Sequence, residues 1–244
     1  LDRRCNFDCV YCEVDRHKPQ NHGACDVEAM AAELAATLER VRDGDLRRLP
    51  GFQDLPPELL ELRHVALSGE GEPTLCPQFA EAVQAVVHVR ARGQFPFFKI
   101  TLLTNASLID HPQVQRGLRH LILKDELWLK LDAGSRRVYD RINRSPIPFE
   151  RIRQNILLAG QQRPIVIQSL FPMLDGQPPS DEDIGEYAAC LRDLKTGGAQ
   201  ISLVQVYSAT RPTLKSECRH LPLKVLSQIA QRVRAETGLT VEVF

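Results

Sequence analysis

The chain has 244 residues, enough for a large domain with a substantial core, and its 43% hydrophobic and 25% charged residues are typical of a globular protein. Its 31 basic residues balance its 31 acidic ones, which argues against a dedicated nucleic-acid binder, because such domains carry a basic excess. Seven cysteines in a chain of this length do not resemble a disulfide framework, and no apolar run reaches the length of a membrane span, so a reducing, cytoplasmic setting fits best.

Helical and strand patterns alternate along the chain. Ala- and Leu-rich segments with apolar spacing near 3.6, begun by Pro, Ser or Asp and often ended by Gly, predict helices at 27–41, 77–93, 112–122, 148–161, 180–198 and 221–238. Short apolar runs predict strands at 64–69, 97–105, 126–134, 164–171, 199–209 and 239–244. This alternation predicts a parallel sheet covered by helices in one α/β domain over residues 1–244.

The repeated strand–helix unit favours a partial TIM-like barrel of six units, a (β/α)6 architecture. A leading strand of that barrel is expected before Cys5, where the chain begins. In such barrels the reactive groups lie at the carboxyl ends of the strands. The polar residues that follow each predicted strand are therefore the candidates for a functional site.

Three cysteines fall within the eight-residue stretch CNFDCVYC near the start of the chain: Cys5, Cys9 and Cys12. A zinc site needs a fourth protein ligand, which His17 or His22 would supply. A redox dithiol of Cys9 and Cys12 leaves Cys5 unexplained. A four-iron cluster normally takes four thiolates, so three of them leave one iron open for chemistry. Spacing alone leaves these three interpretations open.

The stretch LSGEGEPTL, after the strand predicted at 64–69, combines glycines with carboxylates. Gly69 and Gly71 let the backbone approach a ligand closely, while Glu70 and Glu72 are suited to pairing with an ammonium group. A polar strand-to-helix loop explains the glycines and the proline but not the carboxylates between them. The loop is therefore a candidate ligand site.

Three later strand ends also carry polar residues. Thr104 and Asn105 end the strand at 97–105, and Gln168 lies near the end of the strand at 164–171. Lys130 and Asp132 share one face of their strand, because side chains two residues apart point the same way. We expect this pair to face the barrel interior and to pair there with each other or with polar cofactor groups, because buried charges are costly without partners. The alternative is a polar stripe that faces the surface.

The cysteine gaps of three and two, with Tyr11 just before the third cysteine, resemble the signature of the radical S-adenosylmethionine (SAM) superfamily. The stretch 69–74, G-x-G-E-P-T, is similar to a variant of the family's Gly-Gly-Glu-Pro element. Thr104-Asn105 resembles its Thr-Asn-Gly step, although Ala106 replaces the glycine.

Two further stretches resemble parts of the family. YDRINRS at 139–145 resembles a stretch that follows the strand corresponding to 126–134 in one branch of the superfamily, and its Arg141, Asn143 and Arg144 either bind a substrate carboxylate or phosphate or lie in a solvated loop. VQVYSATRP at 204–212 resembles the branch that includes the wyosine-forming tRNA enzymes.

The resemblance implies a 4Fe–4S cluster held by Cys5, Cys9 and Cys12, with SAM chelating the open iron. It implies cofactor contacts from Tyr11, Gly69, Glu70, Gly71, Glu72, Thr104, Asn105, Asp132 and Gln168, with the Gly–Glu loop at the amino group of SAM and Asp132 at its ribose. One electron from an external flavodoxin- or ferredoxin-like donor then cleaves SAM to methionine and a 5′-deoxyadenosyl radical, which removes a hydrogen atom from the substrate.

The substrate is left open by the sequence. The branch resemblance suggests a tRNA base, whereas the short, neutral chain suits a small molecule or a peptide equally well. The alternative from a different class is a non-catalytic regulatory or electron-transfer module that binds zinc or an iron–sulfur cluster.

Overall fold

The computed structural model describes residues 1–15 and 25–244. Its strands are β1 (His64–Leu67), β2 (Lys99–Thr104), β3 (Glu126–Lys130), β4 (Ile165–Leu170), β5 (Met173–Leu174), β6 (Ile201–Tyr207), β7 (Cys218–Arg219) and β8 (Val241–Val243). A six-stranded sheet has the order β1-β2-β3-β4-β6-β8, and every neighbouring pair in it is parallel. The short strands β5 and β7 pair antiparallel in a separate ribbon.

The α-helices of the described residues are α1 (Val27–Arg42), α2 (Phe79–Ala91), α3 (Pro112–Leu118), α4 (Arg136–Ile142), α5 (Phe149–Gln162), α6 (Asp181–Thr196) and α7 (Leu223–Thr237). Helices connect the successive strands of the sheet, which confirms the α/β class and the partial (β/α)6 barrel. Within residues 1–15 and 25–244, no helix combines the length and the apolar character needed to cross a membrane.

The two faces of the sheet differ in polarity. Alternate strand residues such as Leu102, Leu129 and Ile167 are fully buried in the core that also contains the helix residues Phe79 and Ile156. The other face carries polar side chains that bind one another, as where Lys99 and Trp128 both donate to Glu126, at 2.6 and 2.9 Å. The strands are therefore apolar toward the helices and polar toward the barrel interior.

The structure corrects the solvated-loop interpretation for residues 139–142, whereas Arg144 lies exposed after the helix. Residues 136–142 form helix α4, which buries Val138, Tyr139 and Ile142. The helix has only seven residues, four of them charged, so its apolar face is too short to give a clear period of 3.6. The chain then packs against the cysteine loop, as described below.

Candidate functional site

The cysteine loop and the carboxyl ends of β1 to β4 and β6 enclose a cavity of about 520 Å³. Its lining includes every site residue predicted from the sequence: Cys5, Cys9, Tyr11, Cys12, Gly69, Glu70, Gly71, Glu72, Thr104, Asn105, Asp132 and Gln168. They converge because the carboxyl ends of parallel strands meet at one edge of a sheet. A cavity of this volume is of the size that binds a cofactor or a small ligand.

The loop that carries the three thiols is held in place by backbone hydrogen bonds. The amides of Asp8 and Val10 donate to the carbonyl oxygens of Asn143 and Ile142, at 3.2 and 2.9 Å. Val10 is fully buried, so the loop is anchored in the core between its second and third cysteines. The local sequence alternates partly exposed cysteines with buried apolar residues, which turns the thiols toward the cavity.

Glu72 is a buried carboxylate that joins two strand ends. Its Oε1 accepts from the Thr74 hydroxyl and the Thr104 hydroxyl, both at 2.6 Å, and from the Thr74 amide at 3.0 Å. Its Oε2 accepts from the Asn105 amide at 2.7 Å. Burial raises the pKa of Glu72 above its usual 4.5, against the lowering effect of these hydrogen bonds. Oε2 has only one of these donors and keeps acceptor capacity for a ligand.

Gly71 brings the carboxylate loop against the segment before the first cysteine. A Cβ atom at Gly71 would lie 2.2 Å from the carbonyl oxygen of Asp2 and 2.5 Å from that of Arg4, so only glycine fits. The next amide, that of Glu72, donates to the Arg4 carbonyl at 2.8 Å. Glu70 has a different environment, because its exposed carboxylate pairs with Arg3 at 3.2 Å on the rim.

Asp132 is the second buried carboxylate of the site. Its Oδ2 accepts from the Tyr11 hydroxyl at 2.6 Å and from the Asn143 amide at 2.8 Å. Its Oδ1 accepts from the Leu170 amide at 2.8 Å and lies 3.2 Å from the Lys130 ammonium, which confirms the expected pairing of Lys130 with Asp132. Both oxygens are thus occupied by protein donors.

Lys130 is held as a cation at the floor of the cavity. Its Nζ donates to the Tyr207 hydroxyl at 2.6 Å, and it lies 4.9 Å from the centre of the Tyr11 ring. Burial alone would lower the pKa of Lys130, but the charge of Asp132 and the contact with Tyr207 raise it above its ordinary value. Gln168 completes this layer by accepting from Tyr207 at 3.2 Å.

Asn143 is the site residue whose place the sequence did not predict. It is only 2% exposed, so it does not offer a substrate-binding amide to solvent, and its side chain lies between Asp132 and Cys9. Arg144, by contrast, is exposed and pairs with Glu217, and Arg141 lines a neighbouring cavity. No local pattern marks Asn143, because its partners lie on other segments of the chain.

The thiols suit a cluster better than a single ion. Within residues 1–15 and 25–244, no three side chains of His, Cys, Asp or Glu converge closely enough to hold one metal ion. In a four-iron cluster each thiolate binds its own iron, so the sulfurs need not meet at one point. The predicted zinc ligands His17 and His22 lie outside the described residues.

The acidity of Cys9 depends on what it binds. Burial and the charge of Asp132 raise the pKa of the Cys9 thiol to about 12, against the lowering effect of the hydrogen bond from Asn143. Thiolate ligands of metals lose this proton when the cation binds.

A family model described as the Radical SAM superfamily matches residues 2–191. Among curated proteins, a UPF0026 protein of Helicobacter pylori is 25% identical over 222 residues, which cover 88% of this chain and 63% of the relative. The UPF0026 protein slr1464 of Synechocystis is 29% identical over 159 residues, which cover 65% of this chain and 49% of the relative. The chain thus spans less than two thirds of the length of either relative.

Several solved structures share the fold. A structure of TYW1 with a lysine-pyruvate adduct bound has a TM-score of 0.63 and 21% identity, and the match covers 95% of this chain and 70% of that one. A radical SAM methyltransferase from Sphaerobacter thermophilus has a TM-score of 0.68 and 18% identity, covering 99% and 63%. Streptococcus suis SuiB bound to S-adenosylmethionine has a TM-score of 0.67 and 16% identity, covering 100% and 48%.

Proposed function

This chain belongs to the radical SAM superfamily, whose cofactors are a 4Fe–4S cluster and SAM, and on that basis we propose that it is an enzyme that cleaves SAM reductively. Together the two cofactors supply a 5′-deoxyadenosyl radical that removes a hydrogen atom from the substrate. The observation that carries the proposal is that three thiols, the buried carboxylates of Glu72 and Asp132 and the partly buried ammonium group of Lys130 line one cavity.

The proposed cluster ligands are Cys5, Cys9 and Cys12, whose loop is anchored by the backbone amides of Asp8 and Val10. The remaining acceptor capacity of Glu72 suits the ammonium group of SAM, because a buried carboxylate without a full set of donors binds a cation strongly. Gly69 has φ +136°, a conformation that favours glycine, and it leaves the backbone open for a ligand. Tyr11, Thr104, Asn105 and Gln168 are proposed to complete the cofactor pocket.

Asp132 and Lys130 are proposed to act differently from each other. Four protein groups already contact Asp132. The proposed role of Asp132 is therefore to hold Tyr11 and Asn143 in position, which these contacts support better than the predicted contact of Asp132 with the ribose. Lys130 has one N–H beyond those directed at Tyr207 and Asp132, which it can donate to an anionic group of cofactor or substrate. An adduct with pyruvate, of the kind named for TYW1, needs a neutral amine, and the raised pKa of Lys130 disfavours that role.

The electron is proposed to come from an external flavodoxin- or ferredoxin-like donor, and the reducing conditions that the cluster needs favour the cytoplasm. The substrate class is a small molecule, a peptide or a tRNA base. The barrel interior would exclude water, so that the radical meets only its target.

Anaerobic reconstitution with iron and sulfide tests the proposal. With dithionite and SAM, the wild-type chain is expected to release 5′-deoxyadenosine, whereas the Cys9→Ala variant should not. The Cys190→Ala variant is the matched control, because Cys190 lies buried in α6 away from the cavity. One bound zinc per chain with no cleavage of SAM would instead favour the non-catalytic module.

A further inference from the structure

The side chain of Asn143 makes an unusual set of contacts. Its Nδ2 lies 2.8 Å from Asp132 Oδ2 and 3.5 Å from Cys9 Sγ, so its two N–H groups have two acceptors. Its Oδ1 is buried and has no hydrogen-bond partner among the described residues. The amide is thus satisfied on its donor side only.

This arrangement is costly for stability. A buried carbonyl oxygen without a donor has lost its hydrogen bonds to water without replacement, and an apolar side chain of similar size would avoid that cost. Buried polar groups left unsatisfied in native proteins call for a reason beyond packing. The reason here lies with the N–H groups, since they are the part of the amide that binds something.

The position of the amide is fixed from several directions. The backbone N–H of Asn143 donates to the backbone carbonyl oxygen of Tyr139 at 2.8 Å. The backbone carbonyl oxygen of Asn143 accepts from the Asp8 amide at 3.2 Å. Asp132, which receives one N–H, is itself held by Tyr11 and Leu170. The second N–H is therefore directed at the Cys9 sulfur by a rigid framework.

We propose that Asn143 is a positioning residue that donates an N–H···S hydrogen bond to a cluster ligand, Cys9, and thereby raises the reduction potential of the cluster. The inference rests on the proposed function. A hydrogen bond to a thiolate stabilises the reduced cluster more than the oxidised one, because the reduced cluster is more negative. Hydrogen bonds to the sulfurs are among the factors that set the reduction potential of a cluster. Asn105 repeats the arrangement more weakly, with Nδ2 3.8 Å from Cys5 Sγ.

The test compares the midpoint potential of the cluster in wild-type protein and in the Asn143→Leu variant, by redox titration monitored by EPR. The equilibrium constant for reduction of the cluster should be about tenfold smaller in the variant. This corresponds to a midpoint potential about 59 mV lower for a one-electron couple. Asn155→Leu is the matched control. Asn155 is equally buried, but its amide donates to the Ala106 carbonyl and to Asp110, so its removal should leave the potential unchanged.

A purely structural role would change the melting temperature or the iron content but not the potential of the protein that holds a cluster. An unchanged potential in an Asn143→Leu variant that still cleaves SAM overturns this inference and leaves the proposed function intact. Failure of the wild-type chain to assemble any cluster overturns both.

If the Asn143→Leu variant takes up no iron, a second experiment on the wild-type protein tests the hydrogen bond. Wild-type protein carrying 15N on the asparagine side-chain amides is then examined by pulsed EPR of the reduced cluster. A hyperfine coupling to an amide 15N that persists when Asn105 is replaced by Leu supports the hydrogen bond from Asn143, and its absence overturns it.

Discussion

Glu70 and Glu72 are two residues apart, yet their surroundings differ sharply. Glu72 is 3% exposed and joins β1 to the end of β2, whereas Glu70 pairs with Arg3 in solvent. The sequence marked both as cofactor contacts because nothing local distinguishes them. Their burial depends on how the loop packs against residues 2–4, a contact between distant segments.

Replacing Glu72 with Gln should therefore weaken SAM binding much more than replacing Glu70 with Gln. A hydrogen bond to a charged group contributes about 1.5–3 kcal/mol, so we expect the dissociation constant for SAM to rise at least about tenfold in Glu72→Gln. Equilibrium dialysis with cluster-loaded protein measures it. Equal losses of affinity in the two variants would show that the exposed carboxylate also binds SAM.

Ala106 is a residue in a backbone conformation that suits glycine. Its φ is +65°, and it lies fully buried after Asn105. A left-handed conformation costs a residue with a Cβ about 1–2 kcal/mol, which offsets the roughly 0.8 kcal/mol that its buried methyl group contributes.

The Ala106→Gly variant should therefore keep its free energy of unfolding within about 1 kcal/mol of the wild type. In Ala188→Gly, on the buried face of helix α6, the helix propensity and the methyl group are both lost, so stability should fall by about 2 kcal/mol. Urea unfolding of both variants measures the difference. A larger loss at Ala106 than at Ala188 would contradict the account.

At the scale of elements, one buried ion pair links the end of α2 to the start of β3. The Asp125 side chain is fully buried, and it accepts from the Ile100 and Ile122 amides at 2.8 and 2.9 Å while paired with Arg90. Burial alone would raise the pKa of Asp125, but the hydrogen bonds and the charge of Arg90 hold it below the usual 3.8. The carboxylate thus stabilises the fold in its ionised form.

The Asp125→Asn substitution should cost about 3–5 kcal/mol, because it leaves Arg90 as a buried cation without its carboxylate. Asp140→Asn is the control, since it breaks only an exposed pair with Arg136 on α4 and should change stability little. Denaturant midpoints of the two variants at neutral pH give the comparison. A loss at Asp125 no larger than at Asp140 would contradict the role of the buried pair.

The Asp125 carboxylate should also make the free energy of unfolding depend on pH in the acid range. Because its pKa is lower in the folded than in the unfolded chain, its contribution is complete above the unfolded value of about 3.8 and is lost as the pH falls toward the folded value. The free energy of unfolding of the wild type should therefore decline below pH 4 more steeply than that of Asp125→Asn. Parallel declines would contradict the assignment.

Most elements could be predicted from the sequence, and the exceptions have physical reasons. The six sheet strands and the longer helices have apolar periods that persist over enough residues to be recognised. Helix α4 is short and has four charged residues among seven, and the β5–β7 ribbon has two residues in each strand, so neither shows a clear apolar period.

At the scale of the whole molecule, the alternation of elements predicted the parallel sheet, and the sheet brings the predicted site residues to one edge. We propose that residues 1–244 act as a single core domain around that edge. The chemistry of individual side chains was predictable, but their partners were not, since Asp132 binds Tyr11 and Asn143 only once β3, α4 and the cysteine loop have packed.

The EPR spectrum of the reduced protein, recorded with and without SAM, tests the central claim most directly. Three thiolates leave one iron of a four-iron cluster without a protein ligand, so SAM should bind that iron and change the spectrum. The change should be much smaller in Glu72→Gln than in the wild type at a SAM concentration near the wild-type dissociation constant. An iron–sulfur signal that SAM leaves unaltered in the wild type, or no iron–sulfur signal at all, would contradict the account.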